Sequence, residues 1–274
     1  MGNCCGGAAS NDNNINRNKA RREQAWMTTG TVSVRDSKLK ADFPHHRLDV
    51  GSAAKTLDAT NNRLTALPPN ISTFSSLQRL ILAANQLSTL PVQISALTSL
   101  KVLVLDSNRL VSLPEEIGAL SRLERLSASQ NALISLPAGI SSLQSLTVLK
   151  LSKNKFSRIP DELGACSALE EIDFADNYLQ ELPESLGSLK RLKVLSADQN
   201  RIAAVPPAVF KGCTSLHTLT LHENPITIEV MEATEGYDEL ERRRREKFDK
   251  QIATRVLLGS KGLDEGIDRA VKSS

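Results

Sequence analysis

Residues 77–99 read LQRLILAANQLSTLPVQISALTS, and residues 100–122 read LKVLVLDSNRLVSLPEEIGALSR. Superposed, the two segments share their leucines, one asparagine, one proline and one isoleucine. The beat extends in both directions. Asn62, Asn85, Asn108, Asn131, Asn154, Asn177 and Asn200 stand 23 residues apart, and Asn224 follows after 24. Pro68, Pro91, Pro114, Pro137, Pro160, Pro183 and Pro206 keep the same interval of 23. A fixed period of this length signals a stack of like units rather than a globular α/β enzyme, because each unit buries its apolar face only against its neighbours.

Within a unit, spacing sets the geometry. Leu80 and Leu82 are two apart, so both point to one side of a short strand. Successive units lay such strands side by side as a parallel sheet. The asparagine turns the chain out of the strand, and its amide can donate to and accept from loop backbone that the turn leaves unpaired. The proline fixes φ and ends strand propagation. The short remainder of the unit returns along the outer side in extended or 3₁₀-like turns rather than full helices. The run Leu77, Leu80, Leu82, Asn85, Leu87, Leu90, Pro91, Ile94 and Leu97 resembles the leucine-rich repeat, in its short form with L-P-x-x-I. The expected fold is therefore an α/β solenoid: a leucine-rich repeat horseshoe with a parallel concave sheet, short convex turns, an N-terminal cap and a C-terminal capping helix.

About eight units fill residues 55–228. Ahead of them, 16–54 is expected to form an N-terminal helix and a capping half-repeat. Thr31-Val32-Ser33-Val34-Arg35-Asp36 looks like a degenerate first strand. Leu39, Phe43 and Pro44 follow in the places of Leu87, Leu90 and Pro91, and Trp26 is placed to cover the first turn. Behind the units, 229–256 is expected to be the capping helix, with Tyr237, Leu240, Arg244, Phe248 and Ile252 on one face at three-to-four spacing. Residues 257–274 are small and charged, as in a mobile tail, and 1–15 read as a flexible leader.

Bulk composition agrees. Aromatics are only 3%, which suits a core of stacked Leu, Ile and Val. The net charge of +3 is small and both signs are interspersed, so the basic stripe of a nucleic-acid binder is missing. Cys166 and Cys213 occupy positions where sister units have leucine, so they read as buried, reduced core residues. No apolar stretch suggests a signal peptide or a membrane span. The sequon Asn70-Ile71-Ser72 is then a chance match.

The outward strand positions form columns down the stack. One runs Arg79, Val102, Arg125, Val148, Glu171, Val194, Thr218; the next runs Ile81, Val104, Ser127, Lys150, Asp173, Ser196, Thr220. A third carries Asp106, Asp198 and His222. Ile81, Val102 and Val104 make an exposed apolar patch of the kind that marks partner sites. Basic residues, Arg125, Lys150, Lys153 and Lys155, give way to acidic Glu171, Asp173, Asp176 and Asp198. Lys150 and Asp173 share a column and are placed to pair across strands. A protein partner of unidentified kind is expected on this face, and the repeat protein itself is expected to be monomeric.

The start, Met1-Gly2-Asn3-Cys4-Cys5-Gly6, has the form of an acylation signal. Gly2 would accept myristate once Met1 is removed, although the sixth residue is Gly6 rather than Ser or Thr. A single myristoyl chain binds a bilayer only reversibly, at about 10⁴ M⁻¹, so palmitoylation of Cys4 and Cys5 or the nearby Arg17, Lys19, Arg21 and Arg22 would be needed to hold it. That places the protein on the cytoplasmic face of a membrane. The run Glu241-Arg242-Arg243-Arg244-Arg245-Glu246-Lys247 reads as the solvated side of the capping helix, with Glu241 and Arg245 paired at i, i+4. Catalysis finds no support. His45, His46, His217 and His222 lie in no metal or triad motif, and no cofactor or metal site is expected.

Three segments together carry a wider resemblance: the Met-Gly-Asn start, Thr29-Gly30-Thr31-Val32 through to Phe43-Pro44, and Glu235-Gly236-Tyr237-Asp238-Glu239 before the basic helix. In these the chain resembles the leucine-rich repeat-containing protein 57 family. Its repeats also resemble those of plant intracellular Ras-group-related proteins, although the Gly-Val-Tyr-Trp stretch of that group does not follow them. The resemblance implies a lipid-anchored intracellular repeat protein without enzymatic activity, with Gly2 as acyl acceptor. The function expected is a membrane-held scaffold in signal transduction that binds protein partners on its concave face. The alternative is a soluble regulatory subunit docking on a phosphatase or small GTPase.

Overall fold

The computed structural model describes Gln24, Trp26, residues 28–40 and residues 53–257, by backbone alone at 250, 251 and 253–257. Among the described residues, nine three-residue strands form one parallel sheet in strict chain order. They are β1 (Thr31–Ser33), β2 (Thr56–Asp58), β3 (Arg79–Ile81), β4 (Val102–Val104), β5 (Arg125–Ser127), β6 (Val148–Lys150), β7 (Glu171–Asp173), β8 (Val194–Ser196) and β9 (Thr218–Thr220). The sheet is curved and unclosed, the horseshoe that the repeat predicts. Every central residue is buried, from Val32 and Leu57 through Leu80, Leu103, Leu126, Leu149, Ile172 and Leu195 to Leu219. Its neighbour across the sheet is always the same position one unit on. A slip of one residue would throw this whole leucine column into solvent, so the burial pattern fixes the register.

The convex side is made of single 3₁₀ turns at Pro69–Thr73, Val92–Ala96, Glu115–Ala119, Ala138–Ser142, Asp161–Ala165 and Glu184–Ser188. The repeat proline immediately precedes the turn in all six, with φ between −69° and −73°. Its carbonyl accepts the first turn's hydrogen bond, as Pro91 O does from Ile94 N at 3.0 Å. The exception is α1 (Pro207–Gly212), an α-helical turn. There the unit has one extra residue, and the closing bond becomes Cys213 N to Val209 O instead of the three-residue closure of Leu189 N on Leu186 O. One inserted residue thus converts an i+3 ring into an i+4 ring.

The asparagines form a continuous ladder. Asn154 accepts from Leu133 N at 3.0 Å and donates to Ala128 O at 2.9 Å and Leu151 O at 3.0 Å. The same three bonds recur at Asn85, Asn108, Asn131, Asn177, Asn200 and Asn224. At the head of the ladder, Asn62 ties the capping segment to the first unit by accepting from Ser37 N and Leu39 N and donating to Val34 O. The residue before each ladder asparagine is left-handed: Asn61, Ala84, Ser107, Gln130, Lys153, Asp176, Gln199 and Glu223 have φ of 54° to 57°. None is glycine, so nothing in composition announces this turn.

At the first end, Gly30 adopts φ 64°, donates its N–H back to Trp26 O at 2.9 Å, and accepts from Lys55 N at its carbonyl. Trp26 and Leu39 are part-buried against the core. Phe43 and Pro44 lie outside the described residues. At the other end stand α2 (Ile228–Ala233) and α3 (Tyr237–Leu257). Leu240 is fully buried, and the Tyr237 ring meets Phe210 edge-on at 5.8 Å. The expected apolar face stops there. Arg244 is exposed, as are Phe248 at 67% and Ile252 at 52%, because the later turns of α3 outrun their support. Glu241 pairs with Arg244 at 2.6 Å rather than with Arg245. Arg243, expected in solvent, turns inward: its guanidinium donates to Phe210 O at 2.7 Å and Leu216 O at 2.9 Å. It supplies donors to backbone that a further unit would otherwise cover.

Candidate protein-binding face

The strand residues flanking each buried centre point outward from the sheet. Their pairing reproduces both columns: Arg79, Val102, Arg125, Val148, Glu171, Val194, Thr218, and Ile81, Val104, Ser127, Lys150, Asp173, Ser196, Thr220. Arg79 and Arg125 are exposed. Ile81, Val102, Val104, Val148, Lys150, Glu171, Asp173, Val194 and Asp198 are half-buried, shielded by the neighbouring strands on either side. Ser127 is buried outright. The face is therefore a shallow strip, with part-exposed valines set between charged side chains.

Charge pairing differs from the column arithmetic. Lys150 pairs diagonally with Glu171 at 2.8 Å, not with Asp173 in its own column. The shorter Asp173 carboxylate is occupied by Ala175 N two residues on, at 2.9 Å. Other acids on the strip are likewise turned into the protein. Asp106 accepts from the Ser127 hydroxyl and from Ser129 N, each at 2.7 Å. Asp198 accepts from the Thr220 hydroxyl at 2.8 Å and from His222 N at 2.7 Å. Asp58 meets Arg35 at 2.9 Å and the Thr60 hydroxyl at 2.6 Å. These roles were not read from the sequence, yet a signal exists: Asp106 and Asp198 are followed 21 and 22 residues later by a hydroxyl side chain, one unit along.

Beneath the strip the core is inert. Cys166 and Cys213 are free, buried thiols, each raised to about 11 by burial, and each donates to a carbonyl of the preceding unit, Ile140 O and Leu186 O. They are thus poor nucleophiles at neutral pH. Gly2, Cys4 and Cys5, with His45 and His46, lie outside the described residues. Among the described residues, no helix is long and apolar enough to cross a membrane.

Comparison with known proteins fits this geometry. A leucine-rich repeat region profile matches residues 69–155, and a leucine rich repeat profile matches residues 144–202. Plant intracellular Ras-group-related LRR protein 7 of Oryza sativa subsp. japonica is 62% identical over 249 residues, covering 91% of this chain and 95% of that protein. Among solved structures, the plant peptide hormone receptor RGFR1 in complex with RGF2 superposes with a TM-score of 0.60 at 32% identity, over 68% of this chain. The ectodomain of the Arabidopsis thaliana receptor kinase GASSHO1/SCHENGEN3, in complex with CASPARIAN STRIP INTEGRITY FACTOR 2, gives a TM-score of 0.60 at 30% identity over 69%. The matched region spans only 31% and 24% of those two receptor chains.

Proposed function

Because this chain belongs to the plant intracellular Ras-group-related leucine-rich repeat proteins, we propose that it is a non-catalytic scaffold that binds protein partners through the strip on β3 to β9. The observation that carries the proposal is the strip itself: Ile81, Val102, Val104, Val148 and Val194 stay part-exposed beside charged neighbours along an unbroken register. Partly exposed apolar side chains in such a row stabilise a complex when covered. The two receptor structures, each a complex with a peptide ligand or factor, support use of the repeat surface for binding. Proximity labelling from the full chain, set against a Val148→Asp/Val194→Asp variant, tests it. Loss of a defined set of labelled proteins is expected; an unchanged set from a folded variant refutes it.

The same proposal includes a membrane anchor at Gly2, reinforced by Cys4 and Cys5, which would hold the scaffold at the cytoplasmic face in signal transduction. Its support is the chemistry of that segment, since two acyl chains give stable residence where one does not. Gly2→Ala should move the protein from the membrane to the soluble fraction, and unchanged fractionation would dispose of the anchor. The second reading, a soluble regulatory subunit for a small GTPase or phosphatase, draws on the Ras-group-related name of the rice protein. Intact mass of the protein from cells separates the two, because only the anchored form carries acyl mass.

A further inference from the structure

Resting on the assignment of the strip as a protein-binding face, we propose that its first part, β3 to β5, takes an acidic partner segment. That segment carries two carboxylates about 10 Å apart with an apolar side chain between them. Arg79 and Arg125 are exposed members of one column, and Val102 lies between them. Ile81 and Val104 run alongside. Among the described residues neither guanidinium has an ion-pair partner.

The carboxylates next to the two arginines are already committed. Asp106, the one carboxylate facing out from these three units, is held by Ser127 and Ser129. On one side Asp58 is paired with Arg35. On the other Lys150 is paired with Glu171, and at the rim Lys101 is paired with Glu124 at 2.8 Å. What this part of the strip offers a partner is therefore two cations around an apolar centre. Guanidinium forks suit planar carboxylates, which they bind through paired N–H donors.

Spacing narrows the shape of the partner. Two strand intervals put the arginines about 9.6 Å apart. In a polyproline II segment, residues i and i+3 share one edge at about 9.3 Å. A β-strand offers about 6.6 or 13 Å on one edge. An α-helix offers about 6 Å over one turn and about 10.5 Å only at i+7. The closest match is an extended, proline-rich segment with acids three residues apart, lying along the stack with its apolar residue on Val102.

The experiment uses the full chain and fluorescence polarisation of labelled peptides. The probe is Pro-Glu-Leu-Pro-Glu-Leu-Pro; the controls carry Gln or Lys in place of Glu, or the two Glu side by side. An exposed ion pair of middling strength contributes about threefold, so two should make the Glu probe about tenfold tighter than the Gln control. Arg79→Gln with Arg125→Gln should remove that margin, Val102→Asp should weaken binding, and Val92→Asp, exposed on a convex turn, should leave it unchanged. Unaltered urea midpoints certify that the exposed substitutions leave the fold intact. The proposal is overturned by no binding up to about 1 mM, by equal affinity for Glu and Gln probes, by retention in the double arginine variant, or by tripolyphosphate competing as well as the probe. Failure here, with partner labelling still lost in Val148→Asp/Val194→Asp, removes the acidic preference and keeps the binding face. Failure of both removes the face as well.

Discussion

Replacing Asn154 by alanine should destabilise the protein by about 2–3 kcal/mol, and the hydrogen bonds say why it is not more. Asn154 is 6% exposed and touches three buried backbone groups. Two of them are carbonyls with a second donor. Leu151 O also accepts from Asn177, and Ala128 O also accepts from Asn131. Only the Leu133 N–H, held at 3.0 Å, is left with nothing. One orphaned buried donor costs about 1–3 kcal/mol, and weakened satisfaction of two carbonyls adds a smaller amount. With a urea m-value of about 2–3 kcal/mol/M, the midpoint should fall by about 1 M at constant slope. The shared carbonyl gives a sharper check. Removing Asn131 and Asn154 together strips Ala128 O of both side-chain donors, so the double variant should cost about 1 kcal/mol more than the sum of the singles. Asn85 and Asn177 share no carbonyl, and their double variant should be additive. Additive behaviour at Asn131 and Asn154, or a midpoint shift under about 0.2 M for Asn154→Ala, would refute the ladder as described.

Three other outcomes follow from single contacts. A Cβ at Gly164 would sit 2.5 Å from Ser185 O in the next convex turn, so Gly164→Ala should cost about 1–3 kcal/mol, read in the same urea titration. Arg243→Ala should cost about 2–3 kcal/mol and raise amide exchange at the last unit, and Arg243→Lys should not restore it, because a single ammonium cannot span Phe210 O and Leu216 O as the guanidinium does. His217 has its pKa lowered, first by burial and then by Lys247 and Lys193. A lowered histidine pKa favours the neutral form in the folded protein, so this stabilisation is present above the ordinary value of 6.5 and is lost as pH falls through the lower folded value. Urea midpoints at about pH 7.5 and 5.5 should therefore drop more for the natural chain than for His217→Gln.

The fold was legible because its signal is redundant. A leucine at position 80, 103 or 126 has an aliphatic counterpart in every other unit, Ile172 in β7 and leucine in most, and so each strand and its register could be set down by counting. Features that occur once had no such support. Four arginines in a row at 242–245 look alike in sequence, and helical periodicity does not tell which one meets the last unit; contact with Phe210 and Leu216 singles out Arg243. Phe248 and Ile252 kept the spacing of a buried face, but spacing records the helix and not where its support ends. The left-handed residue before each asparagine repeats faithfully, yet Ala84, Ser107 and Lys153 carry no chemistry in common by which composition would reveal it.

The binding strip shows the same division in a form that bears on function. Counting charges along the columns gives Arg79, Arg125 and Lys150 against Asp106, Glu171, Asp173 and Asp198, close to balance and without a preferred partner. Contacts break that balance. Asp106, Asp173 and Asp198 each accept from a backbone N–H of their own or the next unit, where they satisfy turns, and Glu171 is paired with Lys150. The two arginines carry long side chains and, among the described residues, have no ion-pair partner. Short acidic side chains are thus spent on the scaffold, and long basic ones are left for a partner, so charge available for recognition follows side-chain reach as much as charge count.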